Sequence, residues 1–133
     1  MDVFWDTSGI VALLLQEPDT AAAQSAWGQT TRPWCWRWLM VETEAALGRR
    51  RAPVAAWSQW RTISAHLMCL DLDPAQWSAL CAFNRPLRLR ASDAAHLFIF
   101  DRATSVVPGM SLLTFDREMV AAAGNLGLPV LAP

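Results

Sequence analysis

The chain has 133 residues, 53% of them hydrophobic and 17% charged, with a net charge of −1. That length supports one domain, residues 1–133, with a substantial core, and the charge balance excludes a nucleic-acid surface built on bulk positive charge. The longest uncharged apolar run, Gly9 to Leu15, is too short to cross a bilayer, and an acidic second residue is not the basic head of a signal peptide, so a cytoplasmic protein is expected. All eleven basic residues are arginine, so any phosphate contact comes from a guanidinium fork. The three cysteines, Cys35, Cys69 and Cys81, are widely spaced without a metal-finger pattern and read as buried free thiols.

Val3-Phe4-Trp5 is a bulky apolar run that stops at Asp6, the signature of a strand covered on both faces. Ser8 to Gln16 reads as a helix ending before Pro18, and Asp19 to Trp27 as a second, with Asp19 and Thr20 as caps. Gly28 to Pro33 reads as loop, Trp34-Cys35-Trp36 as a short strand and Arg37 to Arg50 as a helix with Leu39, Glu42, Ala46 and Arg49 on one stripe. Pro53 opens a helix through Ser64 that places Trp57, Trp60 and Ile63 on one side. His66 to Leu72 is a candidate strand, and Pro74 starts a helix to Phe83. Asn84 to Ala91 reads as a basic loop carrying Arg85, Arg88 and Arg90. Ser92 is expected to cap the helix holding Asp93, His96, Leu97 and Phe100. Ser111 to Thr114 is a strand ended by Phe115-Asp116, Glu118 to Gly124 a short helix, and Leu128 to Leu131 a last short strand. This alternation predicts a single α/β domain with a mainly parallel sheet.

Asp6 and Asp116 occupy the same situation, each ending an apolar strand and opening a helix. In a parallel sheet both point to the carboxyl edge, where ligands gather. Glu42 and Asp93 sit in apolar helical settings. Burying several carboxylates together is very costly without a counter-charge. A divalent cation removes that cost, and hard oxygen donors suit Mg²⁺ or Mn²⁺.

These residues resemble a PIN domain of the VapC toxin type over nearly the whole chain. DTSGIVALLLQEP (Asp6 to Pro18) is similar to that family's opening motif, and VETEAALGRR (Val41 to Arg50) to its glutamate helix. LRASDAAHLFIF (Leu89 to Phe100) and LLTFDREMVAAAGNLGLPVLAP (Leu112 to Pro133) follow as the third and fourth motifs. Two departures are Cys35-Trp36 where relatives often carry Ser or Thr, and a second acid, Glu44; neither removes a ligand.

The resemblance implies a three-layer α/β/α sandwich and a metal-dependent endoribonuclease, a toxin held silent by a cognate antitoxin protein and usually homodimeric. It implies that Asp6, Asp93 and Asp116, with Glu42, form the catalytic and metal-binding set. The ion would lower the pKa of a water, aim it at an RNA phosphodiester and neutralise charge in the transition state. One ion, or two about 4 Å apart, both fit. Glu42 would bind through water or position the nucleophile. Ser8 and Thr114 stand behind the ligands, able to hold a carboxylate or the substrate phosphate.

Around this set, Arg85, Arg88, Arg90 and Arg117 are placed to grip phosphate, with solvated surface arginines as the alternative. His96, three residues after Asp93, can share a face with it and reads as a structural core histidine before a ligand or general base. Trp34, Trp36 and Trp38 read as core or dimer-interface packing before base stacking. Arg49-Arg50-Arg51 suits a helix C-terminus. A catalytically silent PIN-fold binding module and a housekeeping PIN nuclease without antitoxin are the alternatives. A dinucleotide-binding protein is disfavoured, because Asp6-Thr7-Ser8-Gly9 is not a glycine-rich phosphate loop.

Overall fold

In the computed structural model, residues 1–132 are described; Pro133, with which the fourth motif ends, lies outside them. Four strands form the sheet: β1 (Asp2–Trp5), β2 (Arg32–Trp36), β3 (Met68–Leu70) and β4 (Ser111–Leu113). All pair in parallel in the order β3-β2-β1-β4. The chain winds outward from β1 to β2 and β3, then returns to place β4 on the other side of β1. The carboxyl end of β1 is therefore the switch point at which open α/β sheets hold their ligands.

The bulky triplet of β1 shows why helices must cover both faces. Successive strand residues point to opposite sides. Val3 and Trp5 enter a core with Ile10, Leu13, Leu39, Leu47, Trp60 and Ile63. That core lies beneath α1 (Thr7–Leu14), α2 (Thr20–Gln29), α3 (Leu39–Arg49) and α4 (Val54–Ser64). Phe4 enters a second core with Leu97, Phe98, Phe100, Leu112 and Met119, beneath α5 (Trp77–Leu87), α6 (Ala91–Thr104) and α7 (Arg117–Asn125). The three-layer α/β/α sandwich expected from the sequence is the fold observed. Gly9 is required by close approach: a Cβ there would lie 2.9 Å from the buried Trp5 ring, so only glycine lets α1 sit this near β1.

Several local expectations are corrected. Helix α5 follows a single 3-10 turn, Pro74–Gln76, and runs on to Leu87, so Asn84 to Leu87 is helical rather than loop. Pro86 looks like a breaker, but it falls in the last turn, where the helix is about to end in any case. Arg88 closes the helix in the left-handed region at φ 56°. The Asn84 amide then clamps Leu89 from both sides, accepting from its N–H at 2.9 Å and donating to its carbonyl at 2.8 Å. Ser92 is not the cap of α6: Arg90 holds that position without a side-chain bond, and the Ser92 hydroxyl is used elsewhere. Gly28 and Gln29 extend α2 instead of joining a loop, and β2 begins earlier, at Arg32. The final strand reduces to an isolated parallel bridge between Leu112 and Val130. Pro129 contributes a carbonyl to Leu112 N–H at 2.9 Å but has no N–H to extend a ladder.

Of the cysteines, only Cys35 is buried; Cys69 is half-buried and Cys81 exposed. Cys35 and Cys69 face each other across β2 and β3 with sulfurs 3.6 Å apart. Burial, then the neighbouring Cys69, pushes the Cys35 thiol far up, so it stays protonated. Trp34 and Trp36 pack against the second core, whereas Trp38 is 47% exposed. No helix among the described residues is long and apolar enough to cross a membrane.

At the amino edge Asp2 ties β1 to β2. Its carboxylate accepts from Arg32 at 2.7 and 2.8 Å and from Trp34 Nε1 at 2.8 Å. The Arg32 hydrogen bond, then that of Trp34, lowers the Asp2 carboxyl below its ordinary value of 3.8. A depressed carboxyl stabilises the fold above its unfolded value and ceases to do so as pH falls through its folded value. Asp2→Asn is expected to cost about 1 kcal/mol at neutral pH. In denaturation measured across the acid range, that difference should close below the ordinary Asp value; a constant difference would contradict the assignment.

Candidate active site

The residues singled out in the sequence come from four segments and meet at the carboxyl edge of β1 and β4. Asp6 ends β1, and its N–H donates to the Leu113 carbonyl of the neighbouring strand at 3.0 Å. Its extended backbone lets the side chain cap α1, and the Asp6 carboxylate is only 4% exposed. All three of its hydrogen bonds fall on one oxygen. Oδ2 accepts from Ser8 N–H at 3.4 Å, Ser8 Oγ at 2.8 Å and Thr114 Oγ1 at 2.9 Å. Oδ1 is left open toward the site.

Ser8 and Thr114 do more than hold Asp6. Ser8 Oγ accepts from Phe115 N–H at 3.0 Å, and Thr114 Oγ1 accepts from Asp116 N–H at 3.1 Å. The turn after β4 is thus latched to the first aspartate, which fixes where Asp116 emerges. Asp116 Oδ1 caps α7, accepting from Glu118 and Met119 N–H at 2.9 and 3.1 Å. Its Oδ2 faces inward.

Asp93 lies in the first turn of α6. Burial, then the negative charges of Asp116 and Asp6, raises its carboxyl above the ordinary range, with Arg90 opposing. The three aspartates are therefore in electrostatic contact, and Asp93 is the one whose ionisation its burial and its neighbours oppose. Arg90 is the cation that answers them. It reaches Asp93 Oδ2 at 3.1 Å and Asp116 Oδ2 at 3.3 Å while its side chain stays 78% exposed. Arg85, Arg88 and Arg117 are exposed.

Glu42, in the first turn of α3, faces α1 and α6. Oε1 accepts from Thr7 Oγ1 at 2.9 Å and from His96 Nε2 at 2.6 Å, and Oε2 from Ser92 Oγ at 2.7 Å. Burial opposes its ionisation, but hydrogen bonds from His96, Ser92 and Thr7 prevail and hold the carboxyl below its ordinary value. Burial also opposes a charged His96, yet the Glu42 hydrogen bond, then Asp6 and Glu42 as charges, raises its imidazole. His96 is completely buried, as expected of a core histidine, but its ring nitrogen is spent on the site. Glu44 points away and accepts from Trp60 Nε1 at 3.2 Å.

Sequence reasoning passed over Thr7, gave Ser92 to the helix cap and read His96 as core before site. Thr7 and Ser92 each adjoin a recognised aspartate, and His96 lies one helical turn beyond Asp93. That adjacency is the signal that could have found them.

Among the described residues no three His, Cys, Asp or Glu side chains stand together as a ready-made chelate, since Arg90 lies between Asp93 and Asp116. The donor chemistry nevertheless suits a hard divalent ion. Asp6 Oδ1 accepts no hydrogen bond and has only His96 Nε2 near it, at 3.8 Å, the other two inner carboxylates are held by one exposed side chain, and burial followed by repulsion from Asp116 and Asp6 raises the Asp93 carboxyl.

Parallel strands wound outward from a carboxylate-bearing switch point, between two helical layers, form the three-layer sandwich expected of a PIN-type fold. The structure of VapC20 from Mycobacterium tuberculosis, described as a toxin that cleaves the sarcin-ricin loop, has the same fold. It gives a TM-score of 0.76 at 18% identity over 99% of this chain and 100% of that one. PAE2754 from Pyrobaculum aerophilum gives 0.65 at 18% identity over 92% and 84%. In sequence the chain is 28% identical over 134 residues to Ribonuclease VapC35 of Mycobacterium tuberculosis, in two strains, covering 98% of this chain and 96% of the relative. No family model matches. The resemblance to VapC-type PIN ribonucleases thus extends over essentially the whole chain, in sequence and in fold.

Thr114 is the joint between Asp6 and the Asp116 turn. Thr114→Val keeps the shape but leaves the Asp116 N–H and Asp6 Oδ2 each short of a partner. It should lower stability by about 1–3 kcal/mol, read by urea denaturation; a neutral effect would show that the latch carries no weight.

Proposed function

We propose that this chain is a metal-dependent endoribonuclease, the toxin of a toxin–antitoxin pair acting in the cytoplasm. The observation that carries the reading is the convergence of Asp6, Asp93 and Asp116, whose mutual repulsion a divalent ion would relieve. The relatives' names support it, one being called a ribonuclease and one a sarcin-ricin-loop-cleaving toxin.

Asp6, Asp93 and Asp116 would hold Mg²⁺ or Mn²⁺. Bound there, the ion supplies an acidified water and neutralises charge building on the phosphodiester. The protein's own groups supply the rest. Ser8 and Thr114 keep Asp6 Oδ2 saturated, so its other oxygen faces the site. Glu42, held by three donors, retains lone-pair capacity to accept a proton from the attacking water. Arg90, once displaced from the carboxylates, has a free fork for a phosphate oxygen. Arg85, Arg88 and Arg117 place positive charge around an acidic pocket that by itself repels RNA. An antitoxin segment covering this groove and a homodimer are part of the same reading.

The Arg90 bridge also favours a second reading, a silent PIN fold in which the arginine permanently neutralises the carboxylates. One experiment separates the two. Purified protein is incubated with labelled total RNA in Mg²⁺, Mn²⁺ or EDTA, and melting is followed with and without Mn²⁺. Cleavage should require the ion, and Mn²⁺ should raise the melting temperature. Asp93→Asn should lose both effects, with cleavage down at least about 100-fold. Folded wild type that neither cuts RNA nor responds to Mn²⁺ would establish the silent reading.

A further inference from the structure

Glu42 is the one acid of the set whose oxygens are all engaged by side-chain donors. His96 Nε2 and Thr7 Oγ1 occupy Oε1, and Ser92 Oγ occupies Oε2. An ionised carboxylate offers about four lone-pair directions, so no more than one remains. Chelation through both oxygens would require breaking this cluster. The aspartates differ, since each keeps an oxygen free of neutral hydrogen-bond donors.

His96 is the anchor of the cluster. Its ring is 0% exposed, packs edge-on against Trp36 with centroids 5.1 Å apart at 81°, and cannot reach substrate. Nε2 lies 2.6 Å from Glu42, the shortest contact of the group, whereas Nδ1 is buried with no partner among the described residues. A histidine kept only for packing has no use for an orphaned nitrogen, because a leucine or phenylalanine would fill the space without one. This ring leaves one nitrogen unsatisfied and brings the other closest to Glu42 Oε1, with Thr7 Oγ1 at 3.5 Å and Asp6 Oδ1 at 3.8 Å beyond it. The proton must sit on Nε2 to serve Glu42 Oε1, which fixes the tautomer.

We propose that His96 is a positioning residue that holds Glu42 as a hydrogen-bonded proton acceptor beside the three aspartates instead of a fourth chelating carboxylate. This rests on the nuclease reading given above. Thr7 and Ser92 are too short and rotatable to fix the carboxylate plane alone. The buried imidazole supplies the rigid contact.

The test has a spectroscopic and a kinetic arm. The protein has two histidines, and exposed His66 places Nδ1 2.8 Å from the Thr62 carbonyl, so it carries its proton on the opposite nitrogen. Nitrogen-15 NMR of metal-free protein at one pH should show one ring of each tautomer. The Nε2–H signal should move in Glu42→Gln. A His96 ring without a proton on Nε2, or a signal indifferent to that substitution, overturns the proposal. In the kinetic arm, folded His96→Leu should keep its Mn²⁺ affinity, retain KM for RNA and lose about 10–100-fold in kcat. His96→Gln, which restores an N–H donor, should recover part of the loss. Cleavage by His96→Leu at the wild-type rate overturns the positioning role while the nuclease reading stands. A parallel loss of Mn²⁺ affinity makes Glu42 a ligand and overturns it too. Wild type that does not cleave removes the nuclease reading itself. If His96→Leu fails to fold, the Gln variant and the NMR arm decide.

Discussion

Like charges brought together at the end of a buried sheet are the condition to which this molecule is fitted. Asp6, Asp93 and Asp116 arrive from different segments and share a half-buried edge, where Asp93 resists ionisation because of burial and its two neighbours. Such an arrangement stays folded only if every charge is answered. Hydroxyls from Ser8 and Thr114 and an N–H of α1 answer Asp6, the N-terminal amides of α7 answer Asp116, and Arg90 spans Asp93 and Asp116. Glu42 stands slightly apart within its own shell of donors. The parallel sheet makes the convergence possible, because adjacent β1 and β4 end on the same side.

Much of this was legible in the chain. Val3-Phe4-Trp5 stops at Asp6 and Leu112-Leu113 leads through Thr114-Phe115 to Asp116, which is enough to predict strands covered on both faces and acids on one edge. What local reading missed depends on long-range partners. Ser92 looks like a helix cap because serine before an apolar helix commonly is one, yet its hydroxyl goes to Glu42, fifty positions away. His96 looks like core because its neighbours are apolar, and it is core, but one nitrogen crosses to the site. Asn84 to Leu87 looked like loop because Pro86 and the arginines suggest a break. The helix persists because Asn84 grips Leu89 and Arg88 accepts a left-handed backbone. The last strand looked regular because its composition is apolar, but Pro129 limits it to one bridge.

The two helical layers divide the labour. The α1–α4 side supplies Thr7 and Glu42, and the α5–α7 side supplies Asp93, His96, Arg90 and the helix that Asp116 caps. Glu42 is bonded to residues of α1 and α6, so it joins the layers across the sheet edge. Its geometry consequently depends on both cores being correctly assembled, and chemistry at this edge is coupled to the integrity of the whole sandwich.

Two of the acids are helix caps as well as site residues. Asp6 and Asp116 accept from the first-turn amides of α1 and α7, whereas the caps of α3 and α6 are Trp38 and Arg90, and neither Glu42 nor Asp93 bonds a cap amide. A descendant of this chain that had abandoned chemistry would still have reason to keep an aspartate or asparagine at positions 6 and 116, because folding alone favours it. No such amide protects position 93. Within proteins of this architecture, that position is therefore the better witness of a working site, and an intact pair of strand-end aspartates says more about how the sheet edge is built than about what it does.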